Sequence, residues 1–188
     1  MKKLFVAMLV ILMMGLYSTL ALANVTLNAS FDSAGKHKVE DNTAADTKDS
    51  ASFEAEYTVT DGPSEYGVGI GYQCPREIKD LDGKFKFIPL YLTGKYYFET
   101  EQGNVAPFIV GRVGYNFFSG DDDYKSGNDL GNGFYCALGF GVALAKVGDG
   151  HSSIAALYEI NNGTLKVSGS DQDVKYAAAK LVYSYKFN

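Results

Sequence analysis

Hydrophobic and polar residues alternate with a period of two along most of the chain after residue 23, a pattern that predicts two-faced strands. In the clearest stretch, 64–74, one face carries glycines and Gln73, and the other carries Tyr66, Val68, Ile70 and Tyr72. The pattern predicts eight strands, at about 24–32, 51–61, 64–74, 85–99, 105–118, 133–145, 152–161 and 175–187. Apolar spacing at the helical period is not sustained, so we expect an all-β fold.

The connections between these strands alternate in length. The short ones are Asp61-Gly62-Pro63 and the stretches around 101–104 and 148–150, whereas polar loops at about 33–50, 75–84, 119–132 and 162–174 are longer. Short periplasmic turns alternating with long extracellular loops are typical of transmembrane β-barrels. The sequence therefore predicts a closed, antiparallel, up-and-down transmembrane barrel of about eight strands.

Barrel size decides which face points outward. Eight strands enclose room for only a few layers of side chains, too little for the many Phe, Tyr, Leu and Ile residues of the apolar face. We therefore expect that face to contact lipid, and the glycine-rich, polar face to line the interior. Aromatic residues fall at both strand ends, as expected at the two membrane–water interfaces: Phe31, Phe53, Tyr72, Tyr115, Phe117 and Phe134 near the loops, and Tyr66, Tyr96, Phe98, Tyr185 and Phe187 near the turns.

The N-terminus has the features of an export signal. Lys2 and Lys3 precede an apolar run over 4–20, and Ala21-Leu22-Ala23 provides a small-x-small cleavage site. We predict a signal peptide at 1–23 and one barrel domain at 24–188; the alternative is a retained membrane helix, since the run approaches the roughly 20 residues that a span needs. Loss of the two lysines changes the net charge from −5 to −7. A basic nucleic-acid footprint is therefore excluded.

The C-terminal segment alternates without a break, with Ala177, Ala179, Leu181, Tyr183, Tyr185 and Phe187 on one face. It resembles the closing strand of outer-membrane barrels. Together with 88–92 and 107–117, it makes the chain similar to the small outer-membrane β-barrel family, which includes opacity-type proteins, the attachment–invasion proteins and the transmembrane domain of outer-membrane protein A. The resemblance implies a bacterial outer-membrane location, contact with lipopolysaccharide, and an assembly signal at Tyr183, Tyr185 and Phe187 for the barrel-assembly machinery.

Six charged residues fall on the predicted interior face: Glu54, Glu56, Lys95, Arg112, Glu159 and Lys180. Three acids and three bases in a narrow lumen should pair, because an isolated buried charge is very costly. We expect a salt-bridged plug, with a narrow gated polar pore as the alternative. Arg112 and Glu159 lie at similar depth and are candidate partners.

Other candidate groups do not predict a catalytic, metal or cofactor site. His151-Ser152-Ser153 faintly resembles the site of lipid A deacylases, but its place in a turn favours a turn histidine. The acidic run 120–124 lacks the ligand spacing of a calcium loop. Cys74 and Cys136 fall on outward positions of different strands, so we favour two unpaired thiols over a disulfide.

Pro89 is the one local conflict, because it lies inside a predicted strand and cannot donate to the ladder. A bulge at Pro89 could reverse the facing of Phe85 and Phe87.

These observations predict a non-enzymatic outer-membrane protein with an adhesin-like surface role or a membrane-structural role. Binding to a host or other surface ligand would use the extracellular loops, with the barrel as a rigid mount. A small-solute channel is the alternative, and a lipid A-modifying enzyme is a remote one.

Overall fold

The computed structural model describes residues 23–40, 44–79, 83–98, 105–125, 127–147, 150–167 and 170–187. The predicted signal peptide lies outside the described residues except for Ala23, as do most of the turns predicted near 101–104 and 148–150. Eight long strands form the wall: β1 (Ala23–Asp32), β4 (Ser50–Asp61), β5 (Ser64–Gln73), β7 (Lys84–Tyr97), β8 (Ala106–Gly120), β10 (Gly133–Val147), β11 (Gly150–Val167) and β12 (Ser170–Phe187).

Each of these strands pairs antiparallel with its neighbours around the ring. β1 pairs with β12 from Val25–Phe187 to Asp32–Lys180, which closes the ring. The closed antiparallel barrel of eight strands is therefore confirmed. The ring is not uniform, because the pairing of β10 with β11 shifts by one residue between Ala143 and Lys146, as at a β-bulge.

Short elements fold over the barrel at the end opposite the β4–β5 turn. They are β2 (Lys36–Val39), β3 (Ala45–Asp46), β6 (Arg76–Glu77), the one-turn helix α1 (Asp122–Lys125) and β9 (Asp129–Gly131). We call this end the cap and define it by the described residues of 33–49, 74–87, 118–132 and 162–178. No helix in the described ranges is long and apolar enough to cross a membrane.

The interval 162–174, predicted as a loop, consists mainly of strand. β11 and β12 have 18 residues each, although about 9–11 residues suffice to cross a membrane as a strand. Within the cap, β11 pairs with β9, as in Thr164–Gly131, and β12 pairs with β2, as in Tyr176–His37. This pairing satisfies backbone groups that a free hairpin would leave at exposed edges.

Large apolar side chains cover the outside of the barrel, as predicted. Leu138 and Phe140 are about 70% exposed, and members of both predicted aromatic belts, such as Phe53 and Tyr66, are more than half exposed. A surface of this kind requires a hydrocarbon environment.

The inward face is less uniformly small than predicted. Tyr91, Phe108 and Tyr135 are buried in the lumen. Tyr91 fits because it packs over Gly69, where an added Cβ would lie 2.5 Å from the tyrosine ring. Small residues opposite large ones are how narrow barrels are filled.

Pro89 is accommodated without a bulge on its β8 side, where β7 pairs in constant register from Phe85–Gly120 to Tyr97–Phe108. The β5 ladder, in contrast, ends at Ile70–Leu90, one residue before the proline. Phe85 and Phe87 face inward and are buried, on the same side of β7 as Lys95.

Candidate functional site: a closed, charge-paired lumen

The structure brings the six predicted interior charges together. β4 contributes Glu54 and Glu56, and the other four come one each from β7, β8, β11 and β12. Their side chains are at most 9% exposed. They meet because each lies on the inward parity of its strand, at a depth where the barrel is too narrow to separate them.

Arg112 joins the two glutamates of β4. Its Nη1 lies 2.9 Å from Glu54 Oε2, and its Nη2 lies 2.7 Å from Glu56 Oε1. The second oxygen of Glu56 is 2.8 Å from Lys95 Nζ. Arg112 is therefore partnered by these glutamates, and not by Glu159 as similar depth suggested, because depth does not show which strands lie across the lumen from each other.

Lys180 carries the network to the other side of the lumen. Its Nζ is 2.9 Å from Glu54 Oε1 and 3.0 Å from Glu159 Oε2. Gln73 Nε2 also donates to Glu159 at 3.2 Å. All six predicted residues therefore belong to one continuous set of contacts.

Four further charged residues extend the network beyond the six. At the end of the barrel that carries the β4–β5 turn, which we call the turn end, Glu65 accepts from Lys186 at 2.7 Å and from Lys95 at 3.3 Å. At the cap end, Arg76 pairs with Asp32, and Asp32 also lies 3.7 Å from Lys180.

Sequence parity could have identified three of these four residues. Glu65 lies on the inward parity of the glycine face of β5, Lys186 on that of Lys180, and Asp32 on the polar face of β1. Arg76 had no such signal, because β6 follows the end of β5 across a loop.

The completed network contains five acids and five bases, so its formal charge is zero. Charges removed from water are tolerated only when they are paired and hydrogen-bonded. An alternating chain from Lys186 to Arg76 meets that condition and fills the middle of the lumen with side chains.

Aromatic residues close the lumen at the cap. Phe87 stacks on Phe118 with 4.7 Å between ring centroids, and Tyr176 packs against Phe85 at 5.5 Å. The Arg76 guanidinium lies 4.8 Å from the Tyr176 ring centroid, a cation–π contact that joins the aromatic cluster to the charges below.

His37 and Tyr124 belong to this cap cluster. His37 Nε2 is 2.8 Å from Tyr124 Oη, and the imidazole packs 4.8 Å from the Phe85 ring. Burial lowers the pKa of the His37 imidazole to about 4, because protonation would place a charge among aromatic rings.

A pocket of about 240 Å³ remains at the turn end of the lumen, beside Glu65, Lys95, Lys186 and His151. Within the described residues, no group of three or more His, Cys, Asp or Glu side chains could hold a metal ion.

The other predicted candidates lie apart from the lumen. Asp121, from the acidic run, accepts from the backbone N–H groups of Tyr124 and Lys84 at the start of α1. Cys74 and Cys136 are free thiols. The assembly-signal residues Tyr183 and Phe187 are about half exposed on the outer wall, with Tyr185 packed 4.8 Å from Phe187.

Comparison with known proteins identifies the fold. No protein-family model matches the sequence, and no curated protein matches it. Among solved structures, outer membrane protein AlkL in lipid bilayers matches with a TM-score of 0.58 and 13% identity, over 88% of each chain. Neisserial surface protein A matches with a TM-score of 0.54 and 13% identity, over 86% of this chain and 95% of that one. The outer membrane enzyme PagL matches with a TM-score of 0.54 and 16% identity, over 85% and 97%.

The chain therefore has the fold of the small eight-stranded outer-membrane β-barrels, and its closed ring and apolar exterior, together with these matches, support a location in the bacterial outer membrane. The similar structures include a surface protein and an enzyme, so the shared fold does not specify a role.

Proposed function

We propose that this protein has a non-catalytic role at the cell surface, in which a sealed barrel anchors the cap for contact with an external partner. The observation that carries the proposal is the closure of the lumen. Paired charges fill its middle, and an aromatic cluster closes its loop end. In the proposed orientation of the barrel in the membrane, the cap is extracellular and the opposite end, with the β4–β5 turn, faces the periplasm.

The same closure argues against the alternative of a small-solute channel. A solute crossing the barrel would have to separate pairs such as Arg112–Glu56 and Lys180–Glu159, at 2.7 and 3.0 Å. Breaking one buried pair costs on the order of 3–5 kcal/mol. A resting pore is therefore not expected.

The chemistry of the cap favours a polar or charged partner. In the described part of the chain, none of the large apolar residues that are exposed lies in the cap. Its surface instead carries exposed ion pairs, Lys36–Asp46 at 2.5 Å and a Glu77 carboxylate shared by Lys48 and Lys84. Lipopolysaccharide and a host-surface ligand are the partners we propose to test first, with the barrel-assembly machinery as the partner during insertion.

The proposed absence of catalysis rests on His151 and its neighbours. His151 is exposed at the turn end, and within the described contacts it has no hydrogen bond to Ser152 or Ser153. The Ser152 hydroxyl instead pairs with Tyr183 Oη at 2.9 Å. A serine nucleophile requires an adjacent base within hydrogen-bonding reach.

Planar-bilayer recording tests the closure. Purified wild-type protein should give no steady conductance, whereas Arg112→Ala combined with Lys180→Ala should give an unstable leak. A large, steady conductance in the wild type would replace this proposal with the channel.

The surface role needs a cellular test. A deletion strain should lose adhesion or serum resistance without envelope leakage. Complementation with wild type should restore the phenotype, whereas a chain with Lys36, Lys48 and Lys84 changed to serine should insert normally and fail to restore it. Leakage as the sole phenotype would indicate a membrane-structural role instead.

A further inference from the structure

Arg76 differs from the other nine members of the charge network in the part of the chain that supplies it. The other nine lie on the long strands of the wall, whereas Arg76 lies on β6, which has two residues. The described pairs of β6 with β7 are Arg76–Phe85 and Glu77–Lys84. We call residues 75–79 the strap. Because so few backbone bonds attach the strap to β7, it can lift while the eight-stranded ring stays closed.

The wall strands supply the groups that hold the Arg76 guanidinium. Arg76 pairs with the Asp32 carboxylate, and its Nη1 donates to Gln73 Oε1 at 2.8 Å. The Tyr176 ring centroid lies 4.8 Å from the guanidinium carbon. A carboxylate, an amide oxygen and an aromatic face together suit a guanidinium, and we call these three groups the cap-end cation site. Two buried hydroxyls, each 3.0 Å from Asp32 Oδ1, orient the carboxylate independently of the arginine: those of Ser30 and Ser52.

The cap-end cation site would be negatively charged without Arg76. Four bases would then face five acids in the network. Lys180 Nζ also lies 3.7 Å from Asp32, but two glutamates hold this ammonium more closely, at 2.9 and 3.0 Å. A vacated site would therefore attract another cation, and its arrangement of acceptors favours a planar guanidinium over an ammonium.

The strap links Arg76 to the rest of the cap through its other edge. The Lys48 N–H donates to the Glu77 carbonyl at 2.9 Å, and the Lys79 N–H donates to the Asp46 carbonyl at 2.8 Å. These bonds join the strap to the segment that follows β3. Withdrawal of Arg76 from the lumen would therefore move both segments together.

We propose that Arg76 is a removable latch, which fills the cap-end cation site from within the chain and thereby holds the cap closed over the lumen. Its Nε is buried without a hydrogen-bond partner. The site therefore leaves one donor of the arginine unsatisfied, which lowers the cost of withdrawing it. An external guanidinium group is the class of ligand that the vacated site would take. The latch does not depend on which partner the outer surface of the cap binds.

Amide hydrogen exchange tests the latch, measured by ¹⁵N NMR on the full mature chain refolded in detergent micelles. In Arg76→Ala, the Lys48 and Lys79 amides should exchange about tenfold faster than in the wild type, or more, because the strap opens locally. The Tyr97 amide, bonded to the Pro63 carbonyl at 2.8 Å at the turn end, should keep its rate.

Added methylguanidinium should restore slow exchange in Arg76→Ala in a saturable manner and have no effect on the wild type, whose site is filled. Urea and tetramethylammonium chloride are the control solutes, because urea has the planar donors without the charge and tetramethylammonium has the charge without the donors. Lys48→Gln is the matched control variant. It removes an exposed ion pair from the same strap, Lys48–Glu77 at 2.5 Å, and should leave exchange unchanged.

Arg76→Lys keeps the charge without the planar fork. It should give exchange rates between those of the wild type and Arg76→Ala, and it carries the test if Arg76→Ala does not refold. Wild-type exchange rates in the refolded variants would overturn the latch. Fast exchange in Arg76→Ala that methylguanidinium slows no more than urea does would overturn the cation site.

Discussion

Arg112 illustrates how a buried charge is tolerated in this barrel. Its two terminal nitrogens contact Glu54 and Glu56, and its guanidinium carbon lies 4.9 Å from the Tyr91 ring centroid. Tyr91 in turn donates to Glu56 at 3.1 Å. The arginine thus connects three strands, and its loss would leave two glutamates with fewer partners.

We predict that Arg112→Ala lowers the free energy of unfolding by about 3–5 kcal/mol, because it leaves carboxylates buried without their partner. Urea unfolding of the protein in lipid vesicles measures the change. Lys36→Ala is the control, since the exposed Lys36–Asp46 pair should contribute about 0–1 kcal/mol. An Arg112→Ala variant as stable as wild type would contradict the assignment of the network as structural.

His37 makes cap stability depend on pH. Its pKa is lowered from 6.5 to about 4 by burial, so below pH 6.5 the unfolded segment binds a proton that the folded cap does not. Stability is therefore complete above pH 6.5 and is lost as pH falls towards 4, by roughly 3 kcal/mol in total. The groups that contact the imidazole are the Tyr124 hydroxyl, 2.8 Å from Nε2, and the Phe85 ring.

Thermal unfolding monitored through cap aromatic residues between pH 7 and pH 4 tests this prediction. His37→Phe should flatten the pH dependence of cap stability, because phenylalanine does not titrate. If the wild type and His37→Phe lose equal stability over this range, another group is responsible.

At the scale of elements, the inner face of β5 and that of β7 are complementary. The glycines of β5 leave room for Pro89 and Tyr91 of β7, and Gly71 would place a Cβ 3.0 Å from the proline ring. On the lipid side, Gly94 has nothing within 4 Å of an added Cβ. The two glycine positions should therefore respond differently to the same substitution.

Gly69→Ala should destabilise the barrel by about 1–3 kcal/mol through overpacking, because its Cβ would meet the Tyr91 ring at 2.5 Å. In a Tyr91→Leu background the cost should be smaller, which a double-mutant cycle measures. Gly94→Ala should be neutral or slightly stabilising. Equal costs for the two alanines would show that the glycines serve backbone conformation instead of packing.

The strands were predictable from sequence because alternation with a period of two identifies a segment as a strand and also shows which face of the sheet each side chain lies on. That is why Glu54 and Lys180, 126 positions apart along the chain and 2.9 Å apart in the structure, could be assigned to one interior. Pairing across the lumen was not predictable, since it depends on how strands are arranged around the ring. The cap was missed because β6 and β9 have two and three residues, too few to show a period.

At the scale of the whole molecule, the closing pair β1–β12 joins the first and last strands. Strands β1 and β11 keep free edges until β12 pairs with both of them, so assembly depends on the C-terminal segment. Tyr185 and Phe187 lie at the turn end of that strand, with their rings 4.8 Å apart. A second aromatic pair at the turn end, Tyr96 and Phe98, has rings 5.4 Å apart in the same edge-to-face arrangement.

Substitution of each pair in turn distinguishes a role as an assembly signal from a role as a membrane anchor. Changing both Tyr185 and Phe187 to serine should leave degraded or periplasmic protein, because the closing strand would lose the feature proposed to be recognised by the assembly machinery. Changing both Tyr96 and Phe98 to serine removes two exposed aromatic side chains from the same end, yet it should leave most of the protein inserted. Membrane fractionation, with gel mobility compared before and after boiling, measures both. Equal loss of insertion in the two variants would mean that interfacial aromatic surface, and not a C-terminal signal, governs assembly.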